Sequence, residues 1–316
     1  MHLVIGVIVI RFRYRGGRFG CRLQEAMLNW MRFRLFLLLV LAATDAHGQA
    51  PDVTFTPALV VAGAPEVIRV TAPRDAKVTG EWQGHALEFF AGRGGNAWYA
   101  LAGVDVETAA GPSTIKVSIH RHDSAREETA AITIHPAHYR TSSISVQPKF
   151  VEPGPEEKKT IEEAVKAKEK AFASSADRPL WMGDFVAPVN AQATDSFGTR
   201  RMYNGKLASV HKGMDFRAPM GTVVRAGNAG VVVLAQPLYF EGNCVIVDHG
   251  LGLMSVYMHF SRIEVKPGQQ VAKGERLGLS GATGRVTGPH LHWAIRWEGA
   301  MLDPAKMLRL DLSGLR

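Results

Sequence analysis

The sequence predicts a mainly β protein built from an N-terminal β-sandwich, a connector helix and a C-terminal antiparallel all-β domain. Three observations carry this. Residues 51–148 contain seven short apolar or alternating runs (VTFTP, EVIRVTAP, VTGEW, ALEFF, AWYALAG, TIKVSIH and AAITIH) spaced by Gly, Pro and Asp, the pattern of a small sandwich. One segment, Glu156 to Phe172, is dense in strong helix formers. From about Pro179 to Leu310, strand-like runs return with closely spaced Gly, as antiparallel hairpins require. The expected organisation is a leader over 1–48, the sandwich as an accessory domain over 49–150, a helical connector over 151–178 and the second β domain over 179–316.

Within the sandwich, Trp82, Phe90, Trp98 and Tyr99 are core candidates, with a carbohydrate-binding aromatic face as the sharper alternative. His120 and His122 are expected to share a strand face, and without a third ligand they read as solvated surface. In the helix, Ile161, Val165 and Phe172 form a thin apolar stripe that would pack on a neighbour. Further on, Val265-x-x-Gly268-x-x-Val271-x-x-Gly274 marks successive tight turns between short strands.

The 316 residues are 46% hydrophobic and 21% charged, enough apolar matter for real cores. The net charge of +8 is concentrated at the N-terminus, where residues 1–48 hold seven Arg against Glu25 and Asp45. The remainder is close to balanced, with 30 basic and 27 acidic residues, so no nucleic-acid partner is expected. The leader has the parts of a secretory signal: Met31-Arg32-Phe33-Arg34, the apolar run Leu35 to Ala43, then small residues ending in Ala46-His47-Gly48. Nine apolar residues span about 14 Å as a helix, against about 30 Å of bilayer core. No stable membrane insertion is expected after processing, and the natural start is expected at Met31 or Met27. Only Cys21 and Cys244 occur, so the processed chain forms no internal disulfide, and Cys244 reads as buried structure.

Five of the twelve histidines fall in the second domain. His211 and Asp215 are four apart in HKGMD, and His290 and His292 are two apart in HLH. A strand period of two puts the pair on one face, with Leu291 on the other. His211, Asp215 and one member of the pair supply three N/O ligands, the number a catalytic zinc site uses while leaving a position open. Zinc would acidify a water and polarise a carbonyl. Proton transfer to a leaving amine would fall to histidine, because no H-E-x-x-H is present. The unused member of His290/His292 and His259 are the candidates. His249 reads as turn chemistry. Gly281, Gly284 and Gly288 read as a loop shaped beside a cleft where a peptide backbone approaches, since no P-loop Lys-Ser/Thr follows.

The segment from about Phe197 to Pro304 resembles the lysostaphin/LytM-type zinc endopeptidases, which cleave peptide cross-links of peptidoglycan. The resemblance rests on SFGTRR, HKGMDFRAPMGTVVRAGNAGVVV, GNCVIVDHGLGLMSVYMHFS, VKPGQQVAKGERLGLSGATGRVTGPHLHW and a terminal LDP. It implies one Zn2+ per chain on His211, Asp215 and His292, and His290 and His259 as catalytic histidines. It also suggests Tyr203 as an oxyanion or substrate contact, and an immunoglobulin-like sandwich before the catalytic domain. The implied substrates are peptidoglycan stem peptides or cross-bridges, and the implied location is the periplasm or the exterior.

Three alternatives follow. The chain could be a catalytically silent wall-binding or hydrolase-activating protein of the same fold. It could be a swinging-arm carrier, although Lys266 and Lys273 lack the context of a modified lysine. Finally, an enzyme held latent by intramolecular autoinhibition would have its first domain, or the segment Pro188–Tyr203, over the cleft.

Overall fold

A computed structural model describes residues 53–122, 124–143, 153–203 and 206–315. The leader and its cleavage site lie outside the described residues. The first region is two four-stranded sheets. One holds β1 (Thr54–Thr56), β2 (Pro65–Thr71), β5 (Phe90–Ala91) and β6 (Ala97–Gly103) in the order β1-β2-β6-β5. The other holds β3 (Lys77–Trp82), β4 (His85–Glu88), β7 (Gly111–Arg121) and β8 (Ser124–Ile134) in the order β4-β3-β7-β8. Period-two alternation turns Ile68 and Val70 of β2, and Ile115 and Val117 of β7, into a common core. Across the sheets, Phe55 meets Trp82 edge-on with centroids 5.4 Å apart. Trp82 is buried as expected, while Phe90, Trp98 and Tyr99 are half-buried against the core. The seven expected runs all lie in strands, but β8 begins six residues before its apolar part. Its first half, SAREET, is a charged outer edge, the composition that discourages pairing with another chain. His122 departs from expectation: β7 ends at Arg121, and His122 sits in the following turn at φ +49°, so it shares no strand face with His120. Both are exposed, and His122 lies 3.4 Å from Asp75.

The later region is a ten-stranded sheet. Its main path runs through β10 (Ala193–Asp195), β13 (Met214–Phe216), β20 (Leu291–Trp297), β17 (Leu253–Ile263), β16 (Gly242–Asp248), β15 (Gly230–Leu238) and β18 (Gln270–Val271). β19 (Arg276–Ser280) pairs with β17 and with β14 (Val223–Arg225), and β21 (Ala300–Leu302) pairs with β20. All these pairings are antiparallel. β16, β17 and β20 are covered on both faces, which is why their apolar runs are continuous rather than alternating. The alternation reappears as two cores: Val245, Val247, Tyr257, Trp293 and Ile295 face one side, Cys244, Ile246, Met254, Val256 and Ala294 the other.

That second face is covered by α1 (Pro155–Phe172), which begins with Pro155 at its first position and carries Glu156 and Glu157 in its first turn. Of the expected stripe, Phe172 packs on the sheet, but the rest of the buried face is different. Ala164, Ala167 and Ala171 pack on the sheet, whereas Val165 is 41% exposed. Small side chains let the helix approach closely, and Arg296 lies 4.1 Å over the Phe172 ring. Lys168 on the same face pairs with Glu241. The sheets before and after α1 share one continuous apolar core, with Phe90 against Trp181 and His85 against Trp297. A small third sheet crosses between the regions, where β9 (Thr141–Ser143) pairs in parallel with β11 (Arg200–Tyr203), which pairs with β12 (Lys206–Val210). A four-residue helix, α2 (Pro304–Met307), is capped by Asp303, whose side chain accepts from the Ala305 N–H.

Candidate metal centre and cleft

The centre is built on the β13–β20 register. Asp215 pairs with His292 across the ladder, so their side chains stand on the same face. His211 follows directly after β12 and is held by reciprocal backbone bonds, its N–H to the Thr199 carbonyl and its carbonyl to the Gly198 N–H. His211, Asp215 and His292 each offer one ligand atom, all within 4.8 Å of one another. His211 Nε2 lies 3.1 Å from Asp215 Oδ1 and 3.0 Å from His292 Nδ1, and that nitrogen lies 2.8 Å from Asp215 Oδ1. Gly213 makes room, because a Cβ there would fall 2.4 Å from His292 Nε2.

This arrangement suits a cation. His211 Nδ1 donates to the Ser196 carbonyl at 3.0 Å, leaving a lone pair on Nε2. That lone pair, a carboxylate oxygen and a second imidazole nitrogen then converge within about 3 Å with a single proton at most to share among them. Two imidazoles and one carboxylate are a donor set that zinc accepts. Burial raises the Asp215 carboxyl, but the close approach of the His211 and His292 imidazoles outweighs it and holds the group well below the usual carboxylate range. Burial lowers His292, only partly offset by Asp215, which favours the neutral, ligating imidazole.

Around these three runs a shell that the sequence did not announce. Arg201 on β11 donates to Asp215 Oδ2 at 3.0 Å and to Asp195 Oδ2 at 2.9 Å. Asp195 also accepts from Arg140 at 2.7 Å and lies 3.3 Å from His211 Nδ1. Burial raises the Asp195 carboxyl, yet the two guanidinium groups bring it below its ordinary value. Arg140 precedes β9 and sits 55 residues from Asp195, so no local pattern connects them. Arg201 lies in the quoted motif SFGTRR, but nothing in a lone strand arginine says that it holds a ligand.

The two remaining histidines flank the centre. His290 forms an isolated bridge with Gly281 just before β20, and its Nδ1 donates to the Gly288 carbonyl at 2.8 Å. Its Nε2 is 3.8 Å from Asp215 Oδ1. His259 sits in a β-bulge, where Met258 and His259, between Tyr257 and Phe260, oppose the single residue Cys244 between Val245 and Asn243. Its φ is +68°, a conformation uncommon for a side chain larger than glycine. The bulge turns the ring toward the others, 4.8 Å from the His290 ring and 6.2 Å from that of His292. His259 Nδ1 donates to the Thr283 carbonyl at 2.8 Å, so Nε2 is again the free nitrogen. Burial lowers its pKa to about 3, with help from the neighbouring imidazoles of His290 and His292, so the ring is neutral at pH 7.

A cleft of about 560 Å³ opens over these groups, lined among others by Arg140, Thr141 and Ser142 and by Arg285 to Pro289. Gly288 borders it with open space at its Cβ position. Gly281 and Gly284 do not: a Cβ on either would meet backbone of the protein itself, at Ser261 and Gly242, so their smallness serves loop packing. His249 is fully buried, with Nδ1 2.7 Å from the Ala229 carbonyl and Nε2 2.7 Å from Ser255 Oγ; it holds the fold together at a distance from the cleft. Cys244 is buried. Tyr203 ends β11 opposite Lys206, and its side chain lies outside the described residues.

Comparison with known proteins places this geometry. Residues 209–304 match the model of peptidase family M23. The chain is 43% identical over 122 residues to the peptidoglycan DD-endopeptidase ShyA of Vibrio cholerae, covering 38% of this chain and 28% of that protein. It is 39% identical over 98 residues to the DD-carboxypeptidase/endopeptidase Mpg of Neisseria meningitidis, covering 31% and 23%. The chain thus spans about a quarter of the length of these curated relatives. A crystal structure assigned to peptidase M23 from Pseudomonas aeruginosa is 30% identical, with a TM-score of 0.56, covering 75% of this chain and 95% of that one. A shared fold and 30% identity over nearly all of that chain, with the histidine–aspartate cluster inside the matched residues, show that this protein belongs to peptidase family M23.

Proposed function

We propose that the protein is an exported, zinc-dependent endopeptidase that hydrolyses peptide cross-links of peptidoglycan. The observation that carries the reading is the convergence of His211, Asp215 and His292 beneath a cleft flanked by two further imidazoles. The printed activities of the relatives from V. cholerae and N. meningitidis support the substrate class. Among the described residues no helix is long and apolar enough to cross a membrane.

His211, Asp215 and His292 would hold the metal, with Arg201 fixing the second Asp215 oxygen. Zinc so bound supplies Lewis acidity toward a carbonyl and acidifies water to a pKa of about 7. The chain's own groups do the rest. His259 and His290 each spend Nδ1–H on a backbone carbonyl, so each presents an Nε2 lone pair toward the cleft. One accepts the proton of the attacking water and returns it to the leaving nitrogen; the other orients the water and the developing tetrahedral centre. The strained backbone of His259 is the kind of local strain that accumulates where side-chain aim matters. Tyr203 remains a proposed oxyanion or substrate contact. The segment before β12 contributes Thr194, Asp195 and Arg201 to the cleft lining, which is the basis for proposing that it also regulates access.

The test is release of new amines from purified peptidoglycan, with and without zinc. Zinc-dependent release is expected, falling by about 10²–10⁴-fold in His290→Ala and with metal content in His292→Ala. One zinc bound per chain without any release would favour a silent wall-binding protein instead.

A further inference from the structure

Three guanidinium groups line the cleft: Arg140, Arg201 and Arg285. Two are committed. Arg140 bonds Asp195 and Thr199, and Arg201 bonds Asp195 and Asp215. Arg285 differs. No carboxylate among the described residues pairs with it, and its guanidinium rests 4.6 Å over the Phe240 ring. Its backbone N–H is pinned to the Phe240 carbonyl at 2.8 Å. Gly284, at φ +78°, packs so closely on the Phe240–Gly242 turn that a Cβ would fall 2.3 Å from the Gly242 nitrogen. The arginine is therefore mounted on a rigid turn, with its charge left over.

Its position is specific. Arg285 borders the main cleft with His290, and also a second depression lined by Ser209, His211, Phe240 and Met258. His259 and His292 border both, so Arg285 stands beside the candidate reacting centre where the two halves of a bound peptide would meet. An unpaired guanidinium in a partly desolvated cleft is matched by a carboxylate, which it can hold in a bidentate, charge-assisted pair.

We propose that Arg285 binds a free carboxylate on the carbon that bears the scissile nitrogen. The inference rests on the endopeptidase reading and narrows its substrate. An amide between two D-centres, as between D-alanine and diaminopimelate, carries such a carboxylate two bonds from the reacting nitrogen. So does a terminal D-alanyl-D-alanine. An internal glycine bridge has no anion there, and amidation of the carboxylate removes it. The same guanidinium thus accounts for a preference for DD links, and it extends the substrate range to trimming of a free D-alanyl terminus.

The experiment compares two synthetic cross-linked peptides, identical except that the carboxylate beside the scissile nitrogen is free in one and a primary amide in the other. Both kcat/KM for amine release and Kd by calorimetry are measured on the zinc-loaded chain. The free carboxylate is expected to be favoured by about 10–100-fold in each. Arg285→Met should bring both ratios close to one, and Arg285→Lys should keep part of each. Because each ratio is internal to one protein preparation, partial misfolding of a variant does not imitate the result. A wild-type Kd ratio near one, or a ratio unchanged in Arg285→Met, would overturn the proposal. An Arg285-dependent binding ratio without cleavage of either peptide would leave the subsite standing and remove the endopeptidase reading.

Discussion

Two buried carboxyl groups, one in each region of the molecule, meet opposite fates. Glu66 on β2 is fully buried in the first region, and neither of its oxygens has a hydrogen-bond partner. Burial pushes its pKa up to about 8 against the attraction of Lys306. Asp215 is nearly as buried, yet it accepts from Arg201, lies within 3.1 Å of the His211 and His292 ring nitrogens and stays ionised. Glu241 lies between them: Lys168 pairs with one oxygen, and the other has no partner. Burial of a carboxylate therefore marks nothing by itself. What separates a site from a structural misfit is the convergence of donors that keep the charge in place.

The largest expected effect tests the unpartnered end of this series. Between pH 4.5 and about 8 folded Glu66 keeps a proton that the unfolded chain has lost. Its contribution is thus complete at low pH and is lost as pH rises through about 8. The shift corresponds to on the order of 5 kcal/mol. Urea unfolding at pH 5 and pH 8 should show wild-type stability falling more steeply than that of Glu66→Gln; parallel profiles would show that the carboxyl is solvated or paired.

A second, smaller effect moves Asp215 toward the condition of Glu66. Arg201→Gln removes the donor to Asp215 Oδ2 and one of the two guanidinium donors to Asp195. Zinc affinity, read by competition with a chelator, should fall by about 10–100-fold. An unchanged affinity would mean that the arginine only packs.

The smallest effect concerns Glu241. Lys168→Met strips its partner, and because Lys168 is partly exposed the cost should be about 1–2 kcal/mol. The Glu241 carbonyl also accepts the His259 N–H at 3.0 Å. The same variant should therefore lower kcat more than it raises KM if α1 steadies the bulge. A purely stability effect would confine the pair to structure.

Most of the candidate site was legible because its chemistry is written in short-range spacing. HKGMD and HLH each sit on or beside one strand, and a period of two is enough to align His290 with His292. The shell was not legible. Arg140 reaches Asp195 only because β9 joins β11 in parallel across the regions, a pairing that no local signal encodes. The helix shows the same limit. Its existence followed from composition, but its buried face is Ala164, Ala167 and Ala171 rather than the bulkier Ile161 and Val165. How close the sheet approached decided which face won.

By itself the sequence determined the β class, the two runs of strands and their connecting helix, and the five polar residues that interrupt apolar strands. Those are consequences of local propensity, alternation and the cost of burying charge. Only the tertiary structure decided that His259 turns inward at a bulge, that Asp195 and Arg201 brace Asp215, and that Arg285 keeps an unspent charge in the cleft. These depend on which strands pair across long stretches of chain. Register and packing energy settle such pairings for the molecule as a whole, and no short window of residues contains them.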